Sequence, residues 1–153
     1  MKTFCRFPLL ALVAALGFSV SATADDKKDD IYKLPSLDDK GWKEQKSGLK
    51  IWDVTEGKGE VVKANATVKV HYTGWLTNGT VFDSSRKRDE AISFGLNQVI
   101  KGWTEGVQGM KVGGTRRLLI PSEMGYGKKG QGDDIPPNST LVFDIELLEV
   151  KNK

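Results

Sequence analysis

The side chains able to do acid–base, nucleophilic or metal chemistry in this sequence are few and poorly placed for it. His71 is the only histidine and Cys5 the only cysteine, whereas hydrolytic triads need a base and zinc sites need several such ligands. His71 falls in an alternating run, Thr67 to Leu76, where it points with Lys69 and Thr73 away from Val68, Val70 and Tyr72. Ser84 and Ser85 follow Asp83 with no base in reach and read as loop hydroxyls. Gly125-Tyr126-Gly127-Lys128-Lys129-Gly130 fits the glycine pattern that cradles a dinucleotide pyrophosphate, but Pro136-Pro137 follows closely and no helix can begin there to receive the phosphates. What remains is a supply of large apolar side chains beside turns: Tyr72, Phe82, Val99, Ile100, Trp103, Tyr126 and Phe143. Scattered aromatics are ordinarily core, and an apolar binding cleft is the competing reading.

Those residues need a sheet to hold them. The Thr67–Leu76 alternation predicts a strand, and Asn78-Gly79 after it predicts a tight type I′ hairpin returning through Val81-Phe82. Arg116 to Ile120 is a further strand, and Thr140 to Val150 a long final one with Leu141, Phe143, Ile145 and Leu147 facing the core. One helix is expected over Ile100 to Gln108, where Ile100, Trp103 and Val107 share a face. Gly102 and Gly106 weaken it by about 1 kcal/mol each relative to Ala, so propensity alone does not decide this segment. Gly113-Gly114, residues 125–132 and Pro136-Pro137 mark turns. The runs Arg86 to Glu90 and Lys128-Lys129 read as solvated loops.

The chain has 153 residues, 39% hydrophobic and 28% charged, enough for one ordinary core. Its start reads separately. Lys2 and Arg6 precede an uncharged apolar run, Phe7 to Val20, and Ser21-Ala22-Thr23-Ala24 gives a small-residue cleavage pattern. Residues 1–24 are therefore expected to be a secretory signal peptide, with Asp25 as the new N-terminus and the bacterial periplasm as the preferred compartment. The apolar run is shorter than the ~20 residues a membrane span needs, so no membrane anchor is expected. Without Lys2 and Arg6 the charge is close to neutral, which argues against nucleic acid as a partner. Residues 25–46 are dense in Asp and Lys, with Pro35 interrupting any helix, and read as a tether or loosely docked arm. Residues 47–153 form the expected domain. No heptad pattern joins two copies, so a monomer is expected.

Several strings in this domain resemble the FK506-binding family of peptidyl-prolyl cis/trans isomerases. They are Val70-His71-Tyr72-Thr73-Gly74, Phe82-Asp83-Ser84-Ser85, Val99-Ile100-Lys101-Gly102-Trp103 with Glu105-Gly106, Tyr126-Gly127, and Ile135-Pro136-Pro137 leading to Leu141-Val142-Phe143. The order is unbroken from about Ser47 to Lys151. The resemblance implies an α+β fold, a twisted antiparallel sheet wrapped around one short helix. It also implies a cleft with Trp103 as floor and Tyr72, Phe82, Val99, Ile100 and Phe143 as walls. Asp83 and Tyr126 would be its polar groups, the Ile100 N–H a donor to substrate, and Arg88 a support for Asp83 and Tyr72. Ile135 would flank the cleft.

Two positions depart from the family pattern: Ile92 stands where an aromatic wall residue is common, and Asp134 puts an acid where an aliphatic residue precedes the Ile-Pro-Pro string. The activity implied is rotation of X-Pro bonds in exported polypeptides, with no cofactor or metal, and with FK506 or rapamycin-like macrolides as inhibitors. A binding module or chaperone that captures proline-containing segments is the alternative of a different class.

Overall fold

The computed structural model describes residues 30–153. The expected signal peptide and the first residues of the arm lie outside the described residues. Among these residues seven strands make one antiparallel sheet: β1 (Lys43–Glu44), β2 (Lys50–Thr55), β3 (Thr67–Leu76), β4 (Val81–Ser84), β5 (Ile92–Gly95), β6 (Thr115–Ile120) and β7 (Leu141–Lys151). Their order is β1-β2-β6-β7-β3-β4, and β5 pairs with the first half of β3 while β4 pairs with the second half. Among the described residues one short α-helix, α1 (Lys101–Gly106), lies against the inner face.

The alternation in β3 and β7 does what period-2 patterning dictates. Val68, Val70, Leu141, Ile145 and Leu147 are fully buried and Tyr72 and Phe143 nearly so, and the two strands pair over their whole length from Thr67–Lys151 to Leu76–Leu141. Helix α1 closes the other side of this core. A Cβ on Gly102 would stand 2.5 Å from Ile120 Cγ2, and one on Gly106 2.6 Å from Leu118 Cδ2. The glycines that weaken the helix in isolation therefore let its backbone lie directly on β6, and the apolar burial outweighs the propensity cost. Arg116 holds the C-terminal end, donating from one guanidinium nitrogen to Gly106 O at 2.9 Å and Gln108 O at 3.0 Å.

The hairpin after β3 forms, but not with the expected two-residue turn. Gly79 has φ 92° and Asn78 does not have a positive φ, whereas a type I′ turn needs both. Instead Leu76 N–H donates to Thr80 O at 2.8 Å and Gly79 N–H to Leu76 O at 3.0 Å, which is a three-residue loop closed by glycine. The extra residue is accommodated by a register shift at Gly74–Trp75, which raises the local twist.

The stretch from Asp30 to the start of β1 lies on the outer face of the sheet. Trp75, 1% exposed, donates its indole N–H to Tyr32 O at 2.8 Å, and Pro35 is buried. Trp42 meets Trp52 edge-on at 5.6 Å. Trp52 in turn carries the Arg117 guanidinium 4.8 Å above its ring. The acid-and-lysine composition of the arm concealed this, because the anchoring comes from isolated aromatics rather than an apolar run. No described helix is long and apolar enough to cross a membrane.

Candidate functional site

The inner face of the sheet opens, beside α1, into a cleft of about 420 Å³. Its floor is Trp103 on the first turn of α1, 4% exposed. Three rings meet that indole edge-on: Tyr72 of β3 at 5.4 Å, Phe94 of β5 at 5.3 Å and Phe143 of β7 at 5.3 Å. Phe82 of β4 stands edge-on to Phe143 at 5.5 Å. Val99, Ile100 and Gln98, in the segment entering α1, form the opposite lip, and Tyr126 and Asp83 complete the rim. Ile100 takes an extended conformation, φ −58° and ψ 152°, and its N–H finds no partner among the described residues.

The polar edge of the cleft is one connected group. The Tyr72 hydroxyl donates to Asp83 Oδ2. Arg88 donates to Asp83 Oδ1 at 2.7 Å and approaches the Tyr72 hydroxyl at 3.5 Å. Burial opposes the charge on Asp83, but the hydrogen bonds from Arg88 and Tyr72 outweigh it and hold the carboxyl below its usual range. Burial and then the bond to Asp83 push the Tyr72 hydroxyl up to about 12. Burial, and then the Asp83 charge, raises Tyr126. At neutral pH the edge thus presents a carboxylate, a guanidinium and two un-ionised phenols. Nothing in it is arranged as a nucleophile with a base. His71 faces the other side of the sheet, its Nδ1 3.1 Å from Ser85 Oγ.

A pH prediction follows from Asp83. Because its folded value lies below the 3.8 of an unperturbed aspartate, it stabilises the fold fully above that pH and progressively less as pH falls through the folded value. Wild type should therefore exceed Asp83→Asn in urea stability at neutral pH, with the gap closing on acidification below about pH 4. A gap that stays constant into acid would mean that Asp83 gains nothing from Arg88.

Of the residues expected at the site, Tyr72, Phe82, Asp83, Val99, Ile100, Trp103, Tyr126 and Phe143 are brought together around the cleft, and Arg88 stands behind Asp83. Three are not. Ile92 packs half-buried against the core, opposite Val70; the aromatic wall on that side is Phe94, two residues along the same strand face, so the cleft is not opened there. Ile135 is 4% exposed and belongs to the core beneath the loop, where it pairs with Gln131. Asp134 is exposed and does not line the cleft, because the Gln131–Ile135 pairing makes it part of a surface turn. Phe94 and Gln98 were missed. The alternation Ile92-Ser93-Phe94 was the available signal for the first.

The comparisons agree with this geometry. A family profile described as FKBP-type peptidyl-prolyl cis-trans isomerase matches residues 58–148. A Haemophilus influenzae protein named a probable FKBP-type peptidyl-prolyl cis-trans isomerase is 47% identical over 144 residues, covering 93% of this chain and 60% of that protein. A Neisseria meningitidis serogroup B protein named FK506-binding protein is 56% identical over 105 residues, 67% of this chain and 96% of its own length. The crystal structure of FkpA from Escherichia coli superposes with a TM-score of 0.71 at 52% identity, covering 74% of this chain and 53% of that one. The chain thus spans little more than half the length of some of the proteins it matches.

Proposed function

Since the chain belongs to the FKBP-type peptidyl-prolyl cis-trans isomerase family, we propose that it accelerates rotation about X-Pro peptide bonds in unfolded or partly folded polypeptides. The observation that carries this is the ring of edge-on aromatics around Trp103, open on one side and edged by Asp83 and Tyr126. Rotation requires no bond to be made or broken. Its barrier of ~18–20 kcal/mol is the loss of amide resonance, and uncatalysed events take tens of seconds. A twisted amide has a less polarised carbonyl and is held less strongly by water, so a dry aromatic cleft favours it over the planar form, and that difference is the rate acceleration. Trp103, Phe82, Phe94 and Phe143 would supply the dry surface. The free Ile100 N–H would orient a substrate carbonyl, and Tyr126 and Asp83 would hold the polar side.

The same cleft would accept FK506 or rapamycin-like macrolides. The leader-like composition of residues 1–24 supports export, with the periplasm as the compartment, and the chain would act there as a monomer without a membrane anchor.

A protease-coupled assay on apolar-X-Pro peptides tests the activity. Acceleration above the uncatalysed rate is expected, abolished by FK506 and unaffected by cyclosporin. No acceleration by folded protein that still binds proline-containing peptides would replace the isomerase reading with that of a binding module.

A further inference from the structure

Three consecutive basic side chains leave the turn after β4 in three directions. The turn is tight: Ser85 N–H donates to Tyr72 O at 3.0 Å, and Arg88 and Glu90 N–H both donate to Ser85 O at 3.2 Å. Arg88 goes to the cleft, to Asp83 and the Tyr72 hydroxyl. Arg86 goes to the opposite face, where it donates to Asp144 Oδ1 at 3.1 Å and lies 3.5 Å from Glu146 Oε2. Asp144 neighbours Phe143 on β7, so when Phe143 faces the cleft Asp144 must face away from it. Lys87 lies 5.5 Å above the Tyr32 ring. The run read from the sequence as solvated is thus divided between the two faces of the sheet.

The two ion pairs of this turn differ in what they can hold. Arg88 and Asp83 are 46% and 39% exposed, and pairs that wet contribute little to fixing a backbone. Arg86 and Asp144 are 15% and 13% exposed, and the second oxygen of Asp144 accepts from Arg117 Nε at 3.0 Å. An acid shared by two guanidinium groups and shielded from water is the firmer anchor.

We propose that Arg86, anchored by Asp144, is a positioning residue for the cleft: it fixes the turn from the back of the sheet so that Arg88 stands against Asp83 and Tyr72. The polar edge of the cleft is then set in part from a face that substrate never touches. The proposal rests on the isomerase reading only for its kinetic readout.

Asp83 is faced by Tyr72 from β3, Arg88 from the turn and Tyr126 from the loop after Ser122–Met124, and only Arg88 moves if the anchor is lost. The experiment follows the Asp83 carboxyl carbon by NMR as pH is varied, in wild type, Arg86→Met, Arg86→Lys and Arg117→Met, at a temperature where all are folded. In Arg86→Met the Asp83 midpoint should rise toward that of an ordinary aspartate, and kcat/KM should fall roughly three- to tenfold. Arg86→Lys should recover most of both, because it keeps a charge within reach of Asp144. Arg117→Met removes the other partner of Asp144 but leaves Arg86 and the turn, and its Asp83 midpoint should shift less than that of Arg86→Met. A wild-type midpoint in Arg86→Met, or an equal shift in Arg117→Met, overturns the proposal. Should Arg86→Met not fold, Asp144→Asn replaces it with the same expected direction. Absence of isomerisation in wild type would defeat the functional reading, while the titration would still decide the role of Arg86.

Discussion

Trp103→Ala is expected to abolish isomerase turnover and to cost about 3–5 kcal/mol of stability, the range for removing a buried aromatic. The indole is at once the cleft floor and a member of the main core cluster. Three edge-on partners lose their contact together, each worth about 0.5–1.5 kcal/mol beyond buried area. Activity and fold are therefore coupled at this position. Trp103→Phe keeps an edge-on ring and should retain part of both. The measurements are urea denaturation and the coupled assay below the melting temperature of the weakest variant. A Trp103→Ala protein as stable as wild type would mean that the ring is a replaceable lining and not part of the core.

The second large effect has a sign that runs against helix propensity. Gly102→Ala should gain about 1 kcal/mol of intrinsic helix preference, yet the methyl would lie 2.5, 2.6 and 2.8 Å from three carbons of Ile120. Ile120 is fully buried and cannot swing away, and overpacking of this kind costs about 1–3 kcal/mol. Gly106→Ala meets Leu118 in the same way. Both variants should be less stable than wild type. Ile120→Val, which removes the Cδ1 at 2.6 Å, should restore part of the loss in Gly102→Ala and none in Gly106→Ala, a coupling that double-variant comparison isolates. If Gly102→Ala is instead more stable, α1 is free to lift from β6 and propensity decides the helix.

The same glycines show why some features were legible in the sequence and others were not. Strands β3 and β7 were readable because half their residues are buried in alternation, a signal intrinsic to the chain. Helix α1 was ambiguous because its reason lies on another element, in Ile120 and Leu118. The hairpin was legible as a hairpin, but its turn type depended on the φ of Asn78, which Asn-Gly leaves open. At the site, the aromatic supply pointed to a cleft, but composition could not decide between Ile92 and Phe94. The register of β5 on β3 turns both inward, opposite Val70 and Val68, and it is the ring of Phe94 that reaches Trp103, at 5.3 Å. The run Arg86 to Arg88 looked uniform because charge patterning ignores direction, whereas the turn sends Arg86 to the outer face and Arg88 to the cleft. The contacts of the arm were not legible because they rest on Tyr32, Pro35 and Trp42, taken singly, rather than on an apolar stretch.

The way the sheet ends also bears on how such a protein survives its substrates. Unfolded chains carry unpaired backbone groups that can add to any open strand, and sheet borders are the usual templates for that growth. Here one border is the two residues of β1, after which β2 is irregular at Asp53–Thr55. The other is split into two four-residue pieces, β4 and β5, with the Arg86–Glu90 turn between them. Neither offers the straight length needed to seed a lasting backbone ladder. On the proposed function, extended clients would be left to the aromatic cleft, which would hold side chains and a single carbonyl and release them after each turn of the bond.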